Sequence, residues 1–236
     1  AVNGGGNLTV NYSKPGYLGA QRQADVPWQD YVVLPDVILL QLDPNVTPID
    51  LTIPGIKTAR GSVSTDSEGS RQATIFFPEG ITATMVMPNG TTQPITSLNV
   101  RATEFTVGPN GPKAMPAELP PNVAYTYAVE FTVDEALSAG AKEVRFSQPV
   151  INYLENFLAF SVGDNVPAYS YDRKGGRWVP LPIGRVIKIV GSTGDLADLD
   201  VDGDDVADTA AKLAELGVSD AERQALYGRY PTGQSL

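Results

Sequence analysis

The β-prone stretches of this chain are short, and glycine, proline or asparagine punctuates most of the gaps between them. With 23 glycines and 19 prolines in 236 residues, long helices are excluded over most of the length, because each such residue breaks the helical ladder. Across the middle, Ala59–Ser64, Arg71–Phe77, Ala83–Met87, Gln93–Ile95 and Leu98–Thr106 alternate with turns such as Pro88-Asn89-Gly90. Asn89-Gly90 is the strongest hairpin signal. Tyr125–Val133, Val144–Phe146, Pro149–Tyr153, Leu158–Val162, Tyr169–Asp172 and Arg185–Val190 extend the pattern, with a tight turn at Asp172–Gly176. This spacing predicts a mainly β chain built as an antiparallel β-sandwich.

Nearer the start, the residues from Leu8 to Tyr12 alternate as a strand, while Tyr17–Trp28 reads as a short extended or irregular piece. Val32–Leu42 is strongly β-forming but holds Pro35, which places its start at an edge or bulge. Leu51–Ile56 also reads as extended in spite of Pro54. Val133–Gly140 fits one or two helical turns. Longer helices are expected only near the end, over Val206–Leu216 and from the Ser219–Glu222 capping box to about Tyr227. The expected division is 1–56 as an N-terminal β unit or extra strands, 57–190 as the sandwich, and 191–236 as an aspartate-rich loop with two short helices and an exit linker. The chain starts at Ala1 and the last residues read as a linker, so both ends are expected to be boundaries within a longer protein.

Residues 195–208, DLADLDVDGDDVAD, hold seven aspartates, one glycine and no basic residue. A hard divalent cation would turn that repulsion into a site, since Ca²⁺ takes six to eight oxygen ligands. Two alignments are possible. In one, Asp198, Asp200 and Asp202 take EF-hand positions 1, 3 and 5 with Gly203 at the turn, but Thr209 stands where a bidentate glutamate belongs. In the other, Asp200, Asp202, Asp204 and Asp208 resemble the short DxDGDGxxD calcium repeats of extracellular proteins, with Asp205 in place of the second glycine. The expected ligands are Asp200, Asp202, Asp204 and Asp208, completed by Asp198 or Asp195 and the carbonyl of Val206. Ca²⁺ is the expected cofactor, as a structural staple. Bland alternatives compete at each step, here an acidic solvated linker.

A formal net charge of −10, with no basic run, argues against nucleic-acid binding. The chain has no cysteine and no histidine, which closes the thiol, Ser-His-Asp and zinc-hydrolase solutions. No apolar run approaches the length of a membrane helix, so no direct membrane insertion is expected. Gly-rich pieces are not placed between a strand and a helix as phosphate loops must be. Glu104 and Glu130 are the best pair for carboxylate chemistry, and a glycosidase would need them across a common groove. Trp178, Tyr169 and Tyr171 offer an aromatic platform for a carbohydrate-binding or carbohydrate-active module. The preferred reading is no enzyme, and for Trp178 it is closure of the sandwich core.

The segments Gly61–Val63, Arg71–Gly80, Leu98–Thr106, Ala124–Thr132, Gln148–Val150, Asn156–Leu158 and Val162-Gly163, with Trp178 and Ala221-Glu222-Arg223, resemble the region preceding the repeats of large bacterial RHS/YD-repeat proteins. Phe76–Gly80 and Phe160–Gly163 also look loosely like a ZU5-type sandwich. Some ZU5-like domains cleave themselves at His-Phe-Ser, and here Arg145-Phe146-Ser147 lacks the histidine. The resemblance implies an extracellular or cell-surface bacterial location. It also implies a structural module whose partners are neighbouring modules of the same polypeptide, with a surface protein or glycan as further candidates.

Overall fold

The computed structural model describes residues 5–108, 110–119 and 125–236. Expectations that fall on Gly4, Pro109 and 120–124 lie outside these. In chain order the strands are β1 (Gly6–Tyr12), β2 (Ala20–Val26), β3 (Thr47–Asp50), β4 (Lys57–Arg60), β5 (Ser64–Asp66), β6 (Gly69–Arg71), β7 (Thr74–Phe77), β8 (Ala83–Val86), β9 (Thr92–Ile95), β10 (Ser97–Glu104) and β11 (Val129–Val133). The single-turn helix α1 (Asp134–Ser138) follows directly, as its pattern predicts. Then come β12 (Glu143–Phe146), β13 (Ile151–Tyr153), β14 (Asn165–Val166), β15 (Tyr169–Asp172), β16 (Arg177–Pro180), β17 (Gly184–Arg185), β18 (Lys188–Thr193), β19 (Leu196–Asp200), α2 (Ala210–Glu215) and α3 (Asp220–Tyr227). The fold is mainly β, in several small antiparallel sheets, with the helical segment at the end.

Three sheets have three strands, in the orders β11-β10-β3, β12-β8-β9 and β13-β7-β4. Ile49, Leu98 and Val100 from the first, Ala83 from the second, and Ala59, Ile75 and Phe77 from the third share one core with Ile81. That is the sandwich layer. The four residues of β7, Thr-Ile-Phe-Phe, are all buried, because the strand is covered on both faces. Alternation turns Phe76 away from Ile75 and Phe77. It enters a second core with Ile187, Ile189, Ala197, Leu199, Leu213, Leu226, Tyr230 and Leu236. Both helices are thereby fastened to the β body through Leu213 and Leu226.

Of the two readings of Tyr17–Trp28, the extended one holds over Ala20–Val26, and several other local expectations are corrected. Ala20–Val26 pairs with β1 in unbroken register from Tyr12↔Ala20 to Gly6↔Val26, and its polar sequence reflects a partly solvated ribbon. Val32–Leu42 forms no strand beyond a bridge between Tyr17 and Gln41. Pro35 removes a donor and holds Leu34 back, and the segment's backbone bonds go instead to Gly16, Leu18 and Lys113. Leu51–Ile56 and Leu158–Val162 are turns rather than strands. Leu196–Asp200, read as part of the acidic loop, is a strand paired with β18. Its aspartates concealed the buried Ala197 and Leu199. The expected exit linker also packs. Leu236 exchanges backbone bonds with Ile187 at 2.9 and 3.0 Å and is 8% exposed. An apolar last side chain and a free edge on β18 account for it.

Candidate metal centre

The β18–β19 hairpin turns at Gly194 and Asp195 and delivers Asp200 to the edge of the second core. Asp200 is wholly buried, and the chain then wraps around its carboxylate. One oxygen accepts from the backbone N–H of Asp202 (3.1 Å) and Gly203 (2.7 Å), the other from Asp205 (2.9 Å). Burial opposes its charge, but these amide bonds outweigh that and hold the carboxyl below the usual aspartate range. The wrapping needs left-handed backbone at Gly203 (φ 87°) and at Asp205 (φ 60°). Aspartate tolerates that region better than most residues.

Asp208 closes the loop. Its Oδ2 accepts from Val201 N–H at 2.7 Å, and its own N–H donates to the Leu199 carbonyl at 2.8 Å. Thr209 then caps α2, accepting from Lys212 N–H. Asp200, Asp202 and Asp208 each present a carboxylate oxygen, and these lie within 4.8 Å of one another. The Lys212 ammonium reaches the same point, bonded to Asp202 and 2.7 Å from Asp208 Oδ1. Those two contacts, Asp202 first, raise the lysine's pKa and keep it charged.

Three of the seven expected ligand residues are brought together. Asp195 is exposed in the hairpin turn. Asp198 is engaged elsewhere, pairing with Arg223 at 3.1 Å and accepting from Thr193 Oγ1 at 2.9 Å. Asp204 caps the N–H of Val206, whose side chain is exposed. Asp205 pairs with Lys188.

Sequence reasoning missed Lys212 and the platform beneath the loop. Lys212 was legible, lying four residues after Asp208 on the helix that Thr209 opens. The platform was not, because residues 162–163 are remote in sequence. A Cβ on Gly163 would lie 2.8 Å from the Asp202 carbonyl oxygen, and one on Gly203 would lie 2.6 Å from that of Val162. Two glycines thus let the loop rest backbone-on-backbone against 162–163.

The other candidate chemistry is dispersed. In the β10–β11 register Thr103 faces Glu130 and Glu104 faces Val129, so the two glutamates point to opposite faces and share no groove. Glu104 is held by the buried Arg71 at 2.6 Å and Glu130 by Arg173 at 2.9 Å. Trp178 packs beside the core of Leu18, Phe105 and Met115, and its indole N–H donates to the Glu118 carbonyl at 2.9 Å. Ser147 Oγ accepts from Thr82 N–H.

What the arrangement can do is offer carboxylate oxygens to a hard cation. An ionised carboxylate has about four acceptor sites. Those of Asp200 are largely taken by amides, so Asp202 and Asp208 carry most of the remaining capacity. No family model, curated protein or solved structure matches the chain.

Proposed function

We propose that this chain is a calcium-stabilised, non-catalytic structural or binding module of a larger secreted or surface protein of the RHS type. The observation that carries the metal is the convergence of Asp200, Asp202 and Asp208 where β19 turns toward α2. A cation there fixes the approach of α2 and α3 to the β body and orders that end of the module. Calcium suits the site better than magnesium, because the carboxylates are crowded on an irregular loop and Mg²⁺ demands an octahedron near 2.0–2.1 Å. Membership of a larger exported protein rests on the resemblance of Arg71–Gly80 and its companion segments, and docking to neighbouring modules follows from it.

The test is calorimetric titration of chelator-treated protein with Ca²⁺ and with Mg²⁺, alongside thermal unfolding with and without each ion. Since the ion binds the folded loop, Ca²⁺ raises the melting temperature by mass action. Asp202→Ala removes that gain and Glu68→Ala, on a turn elsewhere, keeps it. Absence of binding at millimolar calcium refutes the reading and leaves an aspartate turn closed by Lys212.

A further inference from the structure

Between β2 and the bridge at Gln41 the chain leaves its largest apolar side chains in solvent. Trp28 is 80% exposed, Tyr31 82% and Val33 82%. Trp28 lies over Gly5, its ring 3.5 Å from where a Cβ would stand there, so the base of this arm is seated while its apolar groups remain uncovered. Large apolar side chains left exposed this close together in sequence mark an association site.

The arm has a charged neighbour. Gln23 Nε2 on β2 donates to the Gly176 carbonyl at 2.9 Å, which sets the β15–β16 turn beside the ribbon. The end of β2 at Val26 is about 10 Å further along. That turn carries Lys174, exposed and in no ion pair among the described residues. It also carries Arg177, whose side chain is 76% exposed and reaches Asp172 only at 3.9 Å. The arm carries the opposite sign, with Asp25 and Asp30 exposed. The ribbon and its arm therefore present aromatic anchors and two carboxylates, and the turn that Gln23 holds against β2 adds two cations. Such a patch is complementary to itself under a two-fold rotation. In a chain of net charge −10 the overall charge opposes association with a second copy, whereas here the signs offset.

We propose that this region is a homodimerisation surface. Trp28, Tyr31 and Val33 are its apolar anchors, and Asp25 and Asp30 of one copy face Lys174 and Arg177 of the other. Each large ring buries roughly 150–250 Å², so Trp28 and Tyr31 together supply about 300–500 Å² a side, below the roughly 800 Å² of a standard interface. The dimer is accordingly weak and concentration-dependent, and it does not involve the aspartate loop.

Sedimentation velocity of the chain in chelator, from micromolar to near-millimolar concentration, tests this. The expected result is a reversible monomer–dimer equilibrium. Trp28→Ala/Tyr31→Ala abolishes it while circular dichroism and melting stay unchanged, because both side chains are exposed. Lys174→Glu/Arg177→Glu weakens it at least tenfold, and adding Asp25→Lys/Asp30→Lys restores it. A monomer throughout, or a dimer indifferent to the Trp28/Tyr31 pair, overturns the proposal, and the former points the arm toward a different macromolecule.

Discussion

The phenol of Tyr153 on β13 donates a 2.6 Å hydrogen bond to Glu222 of α3, a carboxylate only 3% exposed. The same glutamate completes the capping box with Ser219, and the Tyr153 ring leans on Phe76 at 5.5 Å. One side chain thus ties the last helix to the strand beside β7. Removal of its acceptor oxygens by Glu222→Leu leaves a buried hydroxyl unpaired and costs about 1–3 kcal/mol, read by urea denaturation.

Burial raises the Glu222 pKa, and the bonds from Tyr153 and Ser219 only partly offset it. Folding therefore favours the protonated form. That contribution is complete below the unfolded pKa and is lost as pH climbs through the higher folded value. Glu222→Gln removes the charge, keeps one acceptor oxygen for the Ser219 N–H, and turns its amide N–H toward the Tyr153 hydroxyl, which can accept as well as donate. It is expected to melt above the wild type at pH 8, with the advantage gone by pH 4. Thermal scans across that range decide it.

Asp200 has the opposite sign. Its folded pKa is depressed despite burial, chiefly by the amides of Gly203, Asp205 and Asp202. Its contribution is present above the unfolded pKa and drains away as pH falls through the folded one. Asp200→Ala orphans three backbone donors and costs about 3 kcal/mol at roughly 1 each in chelator, and more in calcium, whose proposed site loses a carboxylate. Asp200→Asn shows a shallower loss of stability between pH 6 and pH 3 than the wild type, measured by chemical denaturation.

The contact between the aspartate loop and residues 162–163 predicts a difference between two glycines of similar φ. Gly163 (φ 91°) would put a Cβ 2.8–3.0 Å from three backbone atoms of Asp202, while Gly80 (φ 73°) would meet nothing within 4 Å. Gly80→Ala carries only the left-handed penalty of about 1–2 kcal/mol. Gly163→Ala adds a clash between two backbones and costs at least 1 kcal/mol more, in the range of overpacked interiors. Paired denaturation curves measure the gap.

Lys212 separates two cations that can satisfy one set of oxygens. Bonded to Asp202 and Asp208, it holds the loop together from within the chain. Lys212→Met, measured in chelator, lowers the melting temperature. Calcium restores it, and calorimetry records tighter Ca²⁺ binding than in the wild type because no ammonium has to leave.

Features set by neighbours in sequence were legible. Gly90 adopts φ 86° between β8 and β9, Asp172–Gly176 joins β15 to β16, and the Ser219–Glu222 capping box forms as spaced. Aspartate-rich β19 was not legible as a strand and polar β2 only as extended or irregular, since each depends on a partner strand that composition does not reveal. Val32–Leu42 erred the other way, with strong β propensity and no ladder to join.

The amino-acid order alone determined the antiparallel, short-stranded character of this protein and the place where its negative charge gathers, because turn chemistry and side-chain period act over a few residues. Tertiary structure decided which carboxylates meet. Pairing Leu196–Asp200 with β18 committed Asp198 to Arg223 and buried Asp200. The approach of Gly163, some 40 residues earlier, gave the loop its floor. Those choices follow from burying Ala197 and Leu199 against Phe76 and the helices, a gain that exists only once distant segments have come together.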